Sequence, residues 1–109
     1  MDDLTELTAE LVAIDSVNPA LVPGGNGERK LALFVAEWCE RRGLEVDLVG
    51  EERPSVIATR RGSGGGRALL LNAHLDTVGV KGMATPHEPR VEHTDHRLDG
   101  RADYEEKQP

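Results

Sequence analysis

The sequence predicts an α/β fold with two amphipathic helices, a sheet of at least three strands and an irregular C-terminal tail. Three observations predict it. Apolar residues recur at spacings of three and four in two early segments. Short alternating or continuous apolar runs follow, separated by Gly-rich and charged turns. Beyond residue 80 no period survives.

The first helix is expected over roughly residues 3–15, where Leu4, Leu7, Leu11 and Ile14 form one stripe. Asp2, Asp3 and Thr5 suit its start, because acids near a helix N-terminus favour the dipole. Ser16-Val17-Asn18-Pro19 stops it. Pro19 cannot continue the ladder and pushes Asn18 toward an extended conformation.

After the Pro23–Gly27 loop, a second helix is expected from about Glu28 to Arg42. Leu31, Phe34, Val35, Trp38 and Cys39 make a wide core-facing stripe. Asn26 can cap its start, and Gly43 can take the left-handed closing position. Cys39 on this stripe reads as a buried packing residue, not a nucleophile.

Residues 44–49 alternate as a half-buried strand, and Ser55–Arg60 reads as a second. Ala68-Leu69-Leu70-Leu71 is a continuous apolar run, expected for a third strand covered on both faces. The short connections favour antiparallel neighbours. Residues 1–80 thus form the ordered framework. Residues 81–109 form a polar tail with few large apolar side chains, expected to be poorly ordered.

Composition narrows the function classes. The length of 109 residues fits one domain. With 20 acidic and 13 basic residues the net charge is −7, a poor match for a nucleic acid backbone or an anionic membrane. Phe34, Trp38 and Tyr104 are the three aromatics, which leaves little to stack on bases. Cys39 alone rules out an internal disulfide framework and fits a reducing compartment. The N-terminus shows no basic region followed by an apolar one, and no run approaches the ~18 residues of a membrane span. The expectation is a soluble cytoplasmic chain.

His74-Leu75-Asp76-Thr77 carries the chemistry. It lies where the apolar run ends, the usual place for a site in an open α/β sheet. A neutral imidazole can bind Zn²⁺, and a ligating histidine usually passes its other N–H to a carboxylate. In an extended segment, residues two apart share one side. Taken alone, H-x-D is more often a strand-end histidine paired with an acid and no metal.

The surrounding residues resemble a family. Leu70-Leu71-Asn72-Ala73-His74-Leu75-Asp76-Thr77-Val78 is similar to the metal-site strand of the M20 metallopeptidases and deacylases. That family includes acetylornithine deacetylase, succinyl-diaminopimelate desuccinylase, glutamate carboxypeptidase and aminoacylase. The segment from Leu11 to Pro19 resembles its first helix and Ser-x-Asn-Pro turn. The second helix, the Gly43–Val46 stretch and the strand pair also match in order and spacing.

The resemblance implies the N-terminal part of a zinc-hydrolase catalytic domain. In the full enzyme it implies two zinc ions, with cobalt able to substitute, and an N-acyl amino acid or small-peptide substrate. His74 would bind one zinc and Asp76 would be the catalytic residue that orients it. The family's bridging aspartate follows in a Gly-Arg-Gly-x-x-Asp-Met-Lys motif. Here Gly100-Arg101-Ala102-Asp103-Tyr104-Glu105-Glu106-Lys107 places Glu105 at that position without gaps, or Asp103 with two. The later base, the other ligands and the inserted domain through which family members often dimerise find no match. The chain is therefore expected to be inactive alone. A small non-catalytic binding module on the same framework is the alternative.

Three other features carry less. Glu105-Glu106 spells the family's acidic pair but comes too early, and reads as part of a charged tail. His87, His93 and His96, among Glu88, Glu92 and Asp95, read as an exposed polar loop. Gly24–Gly27 precedes a helix, but no strand leads into it and no Walker lysine follows.

Overall fold

A computed structural model describes residues 3–92. Helix α1 runs Asp3–Val12, helix α2 Arg29–Arg41, strand β1 Glu45–Val49 and strand β2 Ser55–Thr59. The two strands form an antiparallel hairpin in the register Glu45 opposite Thr59 through Val49 opposite Ser55. Helix α2 packs against both strands.

Helix α2 ends as its sequence predicts. Gly43, with φ +81°, donates its N–H to the Glu40 carbonyl, and Leu44 donates to Cys39. This pair of bonds is the Schellman closure, and it turns the chain directly into β1. The start differs from expectation. Asn26 does not cap α2; Glu28 holds the cap position without a side-chain cap bond. The Asn26 amide instead donates to Asp15 at 2.6 Å.

The buried face of α2 is also rotated from the expected stripe. Leu31, Ala32 and Ala36 are buried, whereas Phe34, Val35, Trp38 and Cys39 are half-buried. The two alanines, four residues apart on one face of the helix, are the more deeply buried. The Arg42 guanidinium lies 3.7 Å from the Trp38 ring centroid and shields that ring from water. Cys39, expected to be buried, is only partly covered.

Helix α1 stops at Val12, three residues before the expected end. Bonds from Ala13 to Ala9 and from Ile14 to Leu11 continue its last turn. No residue of α1 is buried, and Leu4 is largely exposed. Val17, just beyond, is buried along with Ser16.

The expected third strand is not formed among the described residues. The sheet has two strands, and Leu69, Leu70 and Leu71 are more than four-fifths exposed. A run that is apolar on both faces becomes a strand when both faces are covered and its backbone is paired. Here neither condition holds. The segment gains one pairing further on, an isolated parallel bridge between Val17 and Thr77.

Candidate metal centre

That bridge builds the site. The Asn18 N–H donates to the Thr77 carbonyl at 3.0 Å, and the Thr77 N–H donates to the Ser16 carbonyl at 2.9 Å. The residue before a proline favours extended backbone, which suits Asn18 for this role. Val17 and Thr77, 60 positions apart, are thereby held side by side.

Local side-chain bonds fix the turn that presents Asn18. Asp15 accepts from the Val17 N–H at 3.0 Å, and the Asn18 carbonyl Oδ1 accepts from the Ala20 N–H at 2.7 Å. The Gly27 N–H closes onto the Val17 carbonyl at 2.9 Å. Gly25 makes this fold-back possible. A Cβ there would lie 2.7 Å from the Val17 carbonyl oxygen and 3.1 Å from that of Val22.

The Asn18 amide reaches across the bridge and donates to Asp76 Oδ2 at 2.7 Å. The other carboxylate oxygen, Oδ1, lies 3.1 Å from His74 Nδ1, and the Asp76 carbonyl lies 2.8 Å from the same nitrogen. Both partners are acceptors, so Nδ1 carries the proton. In the neutral ring, Nε2 then holds a lone pair. The His74 side chain is 84 % exposed and Asp76 25 %, so the acid is the covered, fixed member of the pair.

A third element adds charge. Arg53, on the β1–β2 turn, forks onto Glu28 at 2.8 and 3.1 Å. Its other contact is Asp76 Oδ2, at 4.0 Å. Glu28 is buried at the start of α2, and this bidentate pairing compensates it. The Glu28 hydrogen bond raises the Arg53 pKa above its usual value, with further support from the charges of Glu28 and Asp76. The Asn18 hydrogen bond holds the Asp76 carboxyl below the ordinary carboxylate range, and the His74 contact adds to it.

The sequence-predicted residues divide accordingly. His74 and Asp76 are brought together. Asp103 and Glu105 lie outside the described residues, as do His93 and His96. His87 Nε2 sits 3.6 Å from Asp15 Oδ1. Among the described residues no group of three metal-ligating side chains forms. The geometry therefore fits one ligand position, with an outward imidazole lone pair and an acid behind the ring. Asn18, Arg53 and Glu28 were not legible as site residues. Asn18 reads as a helix-stopping turn, Glu28 as a first-turn acid and Arg53 as part of a charged loop.

Comparison with known proteins points the same way. The similarity is to metallohydrolases. An uncharacterized metallohydrolase of Methanocaldococcus jannaschii is 31 % identical over a 91-residue alignment covering 72 % of this chain and 22 % of that protein. An uncharacterized metallohydrolase of Methanococcus maripaludis is 28 % identical, with 72 % and 21 % covered. The chain thus spans about a fifth of the length of the curated relatives it matches. No family model matches, and no solved structure matches. Among the described residues no helix is long and apolar enough to cross a membrane.

Proposed function

We propose that this chain supplies the first ligand arm of a metal-dependent hydrolase of the M20 type, acting on the amide bonds of N-acyl amino acids or small peptides. The observation that carries the reading is the His74–Asp76 pair, with the proton held at Nδ1 and the Nε2 lone pair facing outward. The similarity to metallohydrolases supports the metal-dependent part. Zinc is the proposed metal, since imidazole backed by a carboxylate suits it.

When bound, such a metal polarises a scissile carbonyl and acidifies a water molecule. The chain's own residues do the preparatory work. His74 offers Nε2. Asp76 holds the Nδ1 proton and fixes the ring plane. Its negative charge also strengthens the donor nitrogen. Asp103, or Glu105, is the proposed bridging ligand. The same reading carries a cytoplasmic location and a small-molecule substrate, without a nucleic acid or membrane partner.

A catalytic zinc takes about three protein ligands and an open position. Residues 3–92 bring one, so the chain alone is proposed to be inactive. That shortfall also favours the second reading, a non-catalytic binding module on the same framework. A chimera separates the two. Residues 1–78 replace the aligned segment of the Methanocaldococcus jannaschii relative, and Zn²⁺- or Co²⁺-dependent hydrolysis of N-acyl amino acids is measured. The hydrolase reading expects turnover that is lost on His74→Ala. Turnover that His74→Ala leaves intact contradicts it.

A further inference from the structure

We infer that Asn18 is the positioning residue that aims the His74 arm, acting through Asp76; this rests on the ligand-arm reading of His74. A carboxylate two residues from a histidine has two rotatable bonds and no fixed direction of its own. In this fold each of its oxygens has a separate task. Oδ2 accepts from the Asn18 amide at 2.7 Å, and Oδ1 is left for the His74 Nδ1–H at 3.1 Å.

The hold is rigid because Asn18 is itself fixed at several atoms. Its N–H is in the bridge to Thr77. Its Oδ1 accepts from the Ala20 N–H, which settles which end of the amide is the donor. Its carbonyl accepts from Leu21 and Val22. The Nδ2 group therefore faces Asp76 in a fixed direction. The largely exposed His74 ring is held at Nδ1 by two acceptors, the Asp76 carbonyl at 2.8 Å and Asp76 Oδ1 at 3.1 Å, and the second of these is set by this chain of bonds. The guanidinium of Arg53, 4.0 Å from the same Oδ2, draws that oxygen to the same side.

Asn18→Asp tests this in the full 109-residue chain. The variant keeps an acceptor for the Ala20 N–H, so the turn can persist. It replaces the donor facing Asp76 with a second carboxylate, and like charges repel. The first readout is the ring-nitrogen NMR signature of His74 above its titration range, which distinguishes the two neutral tautomers. In water an unrestrained imidazole favours Nε2–H. Wild type is expected to show Nδ1–H, and Asn18→Asp to shift the ring toward Nε2–H. An unchanged tautomer with the Ala20 amide still protected overturns the inference.

The second readout is Zn²⁺ binding followed at the His74 ring. Loss of a partner behind a ligating histidine typically weakens metal binding 10–100-fold, and about tenfold is expected for Asn18→Asp. If wild type binds no Zn²⁺ at His74, the ligand-arm reading fails while the tautomer shift still decides the role of Asn18. Should Asn18→Asp not fold, the wild-type carboxamide protons of Asn18 decide instead. They are expected to exchange slowly and to lose that protection in Asp76→Ala. Fast exchange in wild type overturns the inference.

Discussion

Asp15 shows how much one side chain carries in this fold. It accepts from the Val17 N–H and from the Asn26 amide, and His87 Nε2 lies 3.6 Å away. The Val17 bond depresses its pKa most, the Asn26 bond and the His87 charge add to this, and partial burial opposes them. A folded pKa below the unfolded one adds stability above the unfolded value, near pH 4, and that stability is lost as pH falls through the folded value. Acid titration of the melting temperature is therefore expected to fall more steeply below about pH 4 in wild type than in Asp15→Asn. Equal slopes would contradict this role. At the same scale, the H-x-D spacing was enough to pair His74 with Asp76, because the two lie only two residues apart. The third partner, Asn18, was not legible, because its contact depends on a bridge between residues distant in sequence.

At the scale of elements, the helices and the hairpin follow local signals and the third strand does not. The Gly43 closure of α2 and the β1–β2 pairing are set by residues no more than 14 positions apart. Periodicity placed the stripe on α2, but the fold buries Ala32 and Ala36 more deeply than Phe34 and Trp38. Periodicity records which residues avoid water and not which neighbour they meet. The Leu69–Leu71 run records a demand for covering on both faces, which the described residues do not meet. Two substitutions test the element contacts by denaturant titration. Leu31→Ala removes a buried side chain of α2 and is expected to cost about 2–5 kcal/mol. Gly25→Ala places a Cβ against two backbone carbonyls and is expected to cost about 1–3 kcal/mol. It should also weaken the Val17–Thr77 bridge, seen as faster exchange of the Thr77 amide. An unperturbed Thr77 amide would show that the 15–27 loop and the bridge are independent.

For the whole molecule, the described part is a scaffold with an uncovered apolar edge. Leu69, Leu70 and Leu71 are exposed, and Leu48, Val49 and Ile57 are about half-exposed. Exposed apolar surface of this kind promotes association. Replacing Leu69 and Leu71 with Glu is expected to lower dye binding and sedimenting mass while leaving the melting temperature nearly unchanged. A large fall in melting temperature would mean that these side chains are already buried in solution. The central claim is that the scaffold serves to hold His74 with its Nε2 outward, ready for a metal. Zn²⁺ titration of the full chain, followed at the ring nitrogens of its four histidines, tests that claim most directly. The expected result is a metal-induced shift at His74 Nε2, with Nδ1 still protonated and bonded to Asp76. A His74 ring that stays unmoved while the others respond, or that binds through Nδ1, would contradict it.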